Sequence, residues 1–274
     1  MSARKTKSTN SISKTQPRIP AEVSDSALIS GKLVQRIHRS LLMCHLLEAR
    51  VAALGNKSAI NRVHRGDGAM VIGATIGLGS RDIVITLGDT LLPHVTREIP
   101  LKNMIRQLAQ PPPTRSAISR QLNVAQEAAS CAATEGRVVL LLCTEIDFAE
   151  KAARLAEHCS SQSLPLVALV QCDHPPAANA TPVIPVEAHD AIAIYRVTQE
   201  ALWRARRRTG PTIIAVMEAT PQAAMSGHFE SEALVRLREY MQRHSAWDEA
   251  ATGRLRLKLE ADLDKAFAAT KLSS

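Results

Sequence analysis

Two short polar segments, each following an apolar run, carry residue types that could take part in binding chemistry. Cys143-Thr144-Glu145 follows the run 137–142, and Cys172-Asp173 closely follows the run 164–170. Both runs are short enough to be strands buried on both faces, and the stretch 147–159 between them is predicted to be a helix. Parallel strands require such a crossover, and open α/β sheets bind ligands at the carboxyl ends of their strands. The sequence therefore predicts a candidate cofactor edge formed by Thr144, Glu145, Cys172 and Asp173.

Thiols and imidazoles near the same two runs allow a zinc interpretation, because thiolate and imidazole are the usual ligands of zinc. The residues concerned are Cys143, His158, Cys159, Cys172 and His174. Cysteines at the ends of apolar strands commonly serve as small buried hydrophobes instead, and we expect no metal here. The five cysteines are odd in number and have no CxxC spacing, which predicts free thiols in a reducing cytoplasm.

Two glycine–aspartate pairs and one arginine cluster also have alternative interpretations. Gly66-Asp67-Gly68 and Gly88-Asp89-Thr90 could each belong to a metal-binding turn, and only the second follows a predicted strand. A tight turn is the simpler interpretation of both. Arg204-Ala205-Arg206-Arg207-Arg208 has the composition of a phosphate- or nucleic-acid-binding patch. It also ends a predicted helix, where cations interact favourably with the helix dipole, and we prefer that interpretation.

Predicted strands alternate with predicted helices along the chain. The expected strands are 82–87, 137–142, 164–170, 183–186 and 211–217. The expected helices are 28–54, 66–79, 101–108, 120–134, 147–159, 190–208, 232–240 and 250–269. This alternation predicts an α/β fold, a doubly wound and mostly parallel sheet with helices on both faces. Within the helix 66–79, Gly73 and Gly77 are expected to permit close backbone packing.

Composition limits the class of protein. The chain has 274 residues, 45% of them hydrophobic and only 3% aromatic, which predicts a folded chain with an aliphatic, alanine-rich core. The formal net charge is +8, partly because residues 1–25 are basic and lack apolar periodicity. We expect those residues to be a disordered tail, and residues 26–274 to form a single domain. No apolar run approaches the roughly 20 residues of a membrane span, and no secretory signal follows the basic start, so a cytoplasmic location is expected.

Three groups of framework residues together resemble a known family. In chain order they are Arg81-Asp82 with Ile99-Pro100-Leu101, His189-Asp190 with Ile194-Tyr195 and Gly210-Pro211-Thr212-Ile213-Ile214, and Leu237-Arg238-Glu239-Tyr240 with Ala246-Trp247-Asp248-Glu249. Their order and spacing resemble the alpha subunit of the thiamine-diphosphate-dependent 2-oxo acid dehydrogenase decarboxylating component, of the pyruvate, branched-chain and acetoin types. The resemblance covers about residues 28–270 and is strongest in the last third.

The resemblance implies a thiamine-diphosphate-binding fold, oxidative decarboxylation of a 2-oxo acid, and a beta subunit as partner. In that family the alpha subunit holds magnesium and diphosphate with Gly-Asp-Gly after one strand and an Asn-Asn pair after the next, oxygen ligands that suit a hard cation. The beta subunit supplies the other half of the cofactor site. A family histidine that helps to transfer the acyl group corresponds to His228, the candidate catalytic residue. Reaching His228 requires a short insertion, and a surface-loop histidine is the alternative.

The residues at the family's cofactor positions differ in this chain. Cys143-Thr144-Glu145 stands where the family has Gly-Asp-Gly, and Gln171-Cys172-Asp173 where it has Glu-Asn-Asn. Gly88-Asp89 replaces a Tyr-Arg pair that grips the diphosphate, so an aspartate stands where the family has a phosphate-binding arginine. Gly66-Asp67-Gly68-Ala69 replaces Gly-Gln-Glu-Ala. The resemblance thus places any cofactor contacts at Thr144, Glu145, Cys172 and Asp173, while their chemistry argues against binding.

Three hypotheses follow. The preferred one is a divergent homologue with little or no catalysis that acts as a structural or regulatory subunit, associating with a beta subunit or with itself. The second is an active alpha subunit with an unusual site for thiamine diphosphate and magnesium. The third is a basic adaptor that binds nucleic acid through its tail, which would show affinity falling steeply with salt. Neither a membrane nor nucleic acid is expected as the partner.

Overall fold

The computed structural model describes residues 29–55, 57–63, 67–88, 90–97, 99–110, 115–178, 181–218 and 231–270. Five parallel strands form one sheet in the order β1-β2-β3-β5-β4. The strands are β1 (Ile83–Thr86), β2 (Val139–Thr144), β3 (Leu166–Gln171), β4 (Val183–Glu187) and β5 (Thr212–Met217). The fold is α/β and doubly wound, as the alternation of strands and helices predicted.

Helices surround this sheet. They are α1 (Gly31–Ala53), α2 (Lys57–Arg62), α3 (Asp67–Thr75), α4 (Pro93–Thr96), α5 (Leu101–Leu108), α6 (Arg115–Glu135), α7 (Glu145–Asp147), α8 (Ala153–Ser161), α9 (Ala191–Arg206), α10 (Glu232–Arg243) and α11 (Glu249–Ala268). A π-helical stretch, Phe148–Ala152, joins α7 to α8. Among the described residues, no helix is long and apolar enough to cross a membrane.

Alternate residues of the central strands enter two separate cores. The parallel register pairs Leu140 with Val167, and the side chains of paired residues lie on the same face of the sheet. One face buries Leu140, Leu142, Val167, Leu169, Ile214 and Val216 against α1, α3, α9, α10 and α11. The other buries Val139, Leu141, Leu166, Ala168, Ile213 and Ala215 against α6 and α8. Burial on both faces explains why these strands are continuous apolar runs rather than alternating ones.

The connections between the strands lie on both faces of the sheet. From β1 to β3 the chain moves in one direction across the sheet, and the connecting helices α6 and α8 lie on one face. From β4 to β5 it moves in the opposite direction, and the connecting helix α9 lies on the other face. After β3, Ala178 packs on the α8 face; α10, the next described element after β5, packs on the α9 face. Ala178 and α10 therefore lie on opposite faces of the sheet, and such a change of face marks the switch point where doubly wound sheets bind ligands.

Close packing of α3 against α9 depends on a glycine. A Cβ atom added at Gly73 would lie 2.8 Å from the carbonyl oxygen of Ala191 and 2.9 Å from Ile194. At Gly77 a Cβ atom would instead meet the ends of the Gln199 and Tyr195 side chains, which can shift. The expected close backbone packing is confirmed at Gly73. The helix itself, however, ends at Thr75 rather than at residue 79, so Gly77 lies in the following turn.

Other bounds differ from expectation by a few residues. The central strand begins at Val139 and continues to Thr144, because Thr144 still pairs with Gln171 in the ladder. The short helices α2 and α4 were not expected. Asp67 and Gly68 start α3 rather than forming a tight turn. Among the other predicted features, the basic tail, Gly66, Asp89 and His228 lie outside the described residues.

Candidate functional site

The candidate cofactor edge brings together residues from the ends of β2 and β3. The Thr144 hydroxyl caps α7, accepting the N–H of Asp147 at 3.3 Å and donating to a carboxylate oxygen of Asp147 at 2.9 Å. Glu145 Oε2 accepts the backbone N–H of Asp173 at 3.2 Å. The parallel register explains this contact, since Thr144 is opposite Gln171 and the following residues of both strands leave the sheet side by side. Thr144, Glu145 and Asp173 therefore form one cluster.

Cys172, between the two strand ends, is a buried neutral thiol. It is 7% exposed, and its backbone N–H donates to the Val216 carbonyl at 3.1 Å, on the strand across the switch point. Burial raises the pKa of the Cys172 thiol to about 11, and the carboxylates of Glu145 and Asp173 add to the rise. The thiol is therefore protonated at neutral pH. A protonated thiol is a weak donor and a poor metal ligand.

Cys143 likewise serves the core. It is 5% exposed, its thiol lies 3.7 Å from the carbonyl oxygen of Leu169, and burial raises its pKa far above the usual range, with Asp147 and Cys172 adding to the effect. All five cysteines are free. No group of three or more histidine, cysteine or acidic residues among those described could hold a metal ion, so the zinc interpretation finds no support in the described part of the chain.

The electrostatic character of this edge is acidic. The carboxylates of Glu145, Asp147 and Asp173 lie on it, and the described residues place no lysine or arginine within salt-bridge distance of them. The raised pKa of Cys172, which both Glu145 and Asp173 help to cause, reports the same negative field.

A second polar cluster, which sequence reasoning missed, lies after β4 and β5 and at the start of α10. His189 follows β4, and its Nε2 lies 3.8 Å from a carboxylate oxygen of Glu218 and 3.7 Å from one of Glu232. Arg236 contacts Glu232 at 2.9 Å and Glu187 at 3.7 Å. Of these residues, His189, Glu232 and Arg236 line a cleft of about 580 Å³ between α9 and α10. The rule that selected the residues after β2 and β3 would have selected His189 as well, had it been applied to β4.

Thiamine diphosphate and magnesium do not fit the described residues. A diphosphate requires exposed N–H donors or cations, whereas here the N–H of Asp173 already donates to Glu145, and Asp147 and Asp173 add further carboxylates after the same two strands. Magnesium requires several oxygen ligands that converge on one point, and the described residues contain no group of three or more histidine, cysteine or acidic side chains that could hold a metal ion. The predicted contacts at Thr144 and Cys172 offer a capping hydroxyl and a buried thiol. The candidate catalytic residue, His228, lies outside the described residues.

Comparison with known proteins adds little to this description. No protein-family model matches the chain, and no curated protein matches it in sequence. Among solved structures, a transketolase from Leishmania mexicana is similar with a TM-score of 0.43 and 14% sequence identity. The match covers 86% of this chain but 45% of the transketolase chain, so this chain spans less than half of that chain's length. A likeness this distant supports no statement about activity.

Proposed function

We propose that this chain is a non-catalytic relative of the alpha subunits of 2-oxo acid dehydrogenases, and that it acts as a structural or regulatory subunit. The observation that carries the proposal is the hydrogen bond from the Asp173 N–H to Glu145. The resemblance implies that, in a working site, glycines let the backbone approach the diphosphate and expose N–H donors at a helix start. Here the chain's own carboxylate takes the place of the anion.

The energetic consequence can be estimated. Two like unit charges about 4 Å apart repel by about 1 kcal/mol in water and about 4 kcal/mol near a protein surface, which corresponds to roughly a fivefold to thousandfold loss of affinity. A diphosphate at this edge would approach Glu145, Asp147 and Asp173 together. Its binding would therefore need compensating cations, and none contacts these carboxylates in the described residues.

The interior supports a role that depends on the fold rather than on catalysis. Both cores are densely populated, and the large side chains Leu140, Leu141, Leu166 and Leu169 are completely buried. Such a chain can present a stable surface to a partner without binding a cofactor. The partner is a beta subunit of the same dehydrogenase component or a second copy of this chain.

Calorimetric titration with thiamine diphosphate and magnesium tests the proposal, with the full chain alone and with a candidate beta subunit. We expect no heat of binding up to about 1 mM cofactor. Micromolar binding in either arrangement would refute the non-catalytic proposal and favour an active alpha subunit. The double variant Glu145→Gln/Asp173→Asn is the matched control, because it removes two charges and keeps both side-chain shapes. A gain of weak binding in this variant would identify the acidic edge as the cause.

A further inference from the structure

The most prominent exposed aromatic residue lies at the opposite, amino edge of the sheet. Trp203, one of two tryptophans in the chain, lies near the end of α9 and is 55% exposed. The guanidinium of Arg207 lies over its ring, 4.6 Å from the centroid. The contact between Arg206 and Asp82, which immediately precedes β1, fixes the end of α9 at this edge. A large apolar ring held in place by an arginine is typical of the centre of a protein interface.

Uncompensated positive charge surrounds this ring. Arg204, Arg207 and Arg208 form no ion pair with the described residues, whereas Arg206 is paired with Asp82. The helix dipole at the end of α9 is equivalent to about half a negative charge, so it cannot neutralise three guanidinium groups. We call Trp203, Arg204, Arg207 and Arg208 the arginine–tryptophan surface.

The carboxyl edge carries a segment of opposite charge that also has an exposed apolar side chain between charged ones. Ile146 is 70% exposed and is flanked by Glu145 and Asp147. We call these three residues the acidic turn. It has an apolar centre and a negative rim, whereas the arginine–tryptophan surface has an apolar centre and a positive rim. An apolar centre with a charged rim is the usual anatomy of a protein–protein contact, and rim charges of opposite sign steer two partners together.

We infer that the arginine–tryptophan surface binds the acidic turn of a second copy of this chain, head to tail. The two segments lie at opposite edges of one sheet, so they cannot meet within a single copy. The contact joins two different surfaces, and it therefore leaves one of each free to continue into a ring or a filament. The inference rests on the proposed function in one respect, because it requires the carboxyl edge to be open to a protein rather than closed over a cofactor.

Sedimentation velocity of the full chain, without cofactor, at low and high salt tests this contact. We expect concentration-dependent association between about 1 µM and 1 mM, weakened at least tenfold by about 0.5 M salt because exposed charges are screened. The variant Arg204→Glu/Arg207→Glu is expected to weaken association at least tenfold. Arg254→Glu/Lys258→Glu changes the net charge equally on the exposed face of α11 and is expected to leave it unchanged.

Mixing two variants tests the head-to-tail arrangement specifically. Ile146→Arg places a cation at the centre of the acidic turn without removing any hydrogen bond, and it is expected to abolish association by itself. Mixed with Arg204→Glu/Arg207→Glu, it retains one intact surface of each kind. The mixture is therefore expected to form a 1:1 dimer and nothing larger.

Several outcomes would overturn the inference. These are a monomer at every concentration, an equal effect of the α11 control, or failure of the mixture to form a dimer. Binding of a single-stranded oligothymidylate with quenching of Trp203 fluorescence, and without self-association, would assign the surface to nucleic acid instead. Each of these results is independent of the cofactor titration, so failure of the contact and failure of the proposed function can be distinguished.

Discussion

Replacement of Asp82 is expected to cause a large loss of stability, because this carboxylate joins three separate elements. Asp82 is 6% exposed, and its carboxylate accepts the N–H of Gly79 at 2.7 Å, the N–H of Val138 at 3.1 Å and the guanidinium of Arg206 at 2.5 Å. It therefore ties the turn after α3 to the start of β2 and to the end of α9.

The magnitude follows from what each substitution leaves behind. Asp82→Ala leaves two backbone N–H groups and a guanidinium without their acceptor, and breaking a buried pair typically costs about 3–5 kcal/mol. For a chain of this size that loss lowers Tm by roughly 6–20 °C. Arg206→Met is milder, about 1 kcal/mol, because the guanidinium side chain is 37% exposed and Asp82 keeps both backbone donors. Asp82→Asn should fall between the two, since one acceptor oxygen remains.

Urea denaturation of the three variants and of the Asp82→Ala/Arg206→Met double variant measures these terms. We expect the order Asp82→Ala, Asp82→Asn, Arg206→Met, and a coupling energy of about 1–2 kcal/mol in the double-mutant cycle. If Arg206→Met lowered the free energy of unfolding as much as Asp82→Ala, the ion pair rather than the backbone N–H groups would account for most of the stabilisation by Asp82. If Asp82→Asn unfolded at the same urea concentration as the original chain, the proposed role of the carboxylate would be wrong.

Three further predictions concern packing and ionisation. Gly73→Ala should destabilise the chain by about 1–3 kcal/mol in urea denaturation because of the contacts with Ala191 and Ile194, whereas Gly253→Ala in α11, where nothing lies within 4 Å, should stabilise it by about 0.5–1 kcal/mol. Cys131 is the one exposed cysteine and should be the one thiol alkylated rapidly in the folded chain; in Cys131→Ser, alkylation of Cys172 should rise with pH through about 11. Burial lowers the pKa of His94, so folding favours the neutral imidazole. The free energy of unfolding should therefore decrease as the pH falls below the ordinary histidine pKa of 6.5, and His94→Gln should flatten this part of the stability profile.

The fold could be predicted from the sequence because its strongest signals are local. The runs 137–142 and 164–170 are apolar throughout, as strands buried on both faces must be, and β2 and β3 form there. The helices α2 and α4 were missed because their six and four residues are too short to show a period of 3.6. The end of β2 differs from the expected residue 142 because pairing with β3 extends to Thr144. Pairing depends on two strands, so the sequence of one strand does not determine it.

The candidate site was predictable in position but not in its contacts. The residues after β2 and β3 were identified because ligands of open α/β sheets bind at the carboxyl ends of the strands, and the strand ends can be predicted from the sequence. The hydrogen bond between Glu145 and Asp173 depends on the register of two strands, and sequence spacing does not specify it. The contact of Asp82 with Arg206 joins residues 124 positions apart. It makes Arg206 a structural residue, whereas Arg204, Arg207 and Arg208 form no ion pair with the described residues.

Both edges of the sheet satisfy backbone donors with the chain's own carboxylates. At the carboxyl edge Glu145 accepts the N–H of Asp173, and at the amino edge Asp82 accepts those of Gly79 and Val138. Such donors are the groups with which many α/β proteins bind anionic ligands. Because these three are already paired inside the chain, an anion would have to displace a carboxylate from a formed hydrogen bond. The same contacts stabilise the framework, and the charges that remain exposed, negative at one edge and positive at the other, are those suited to a protein partner.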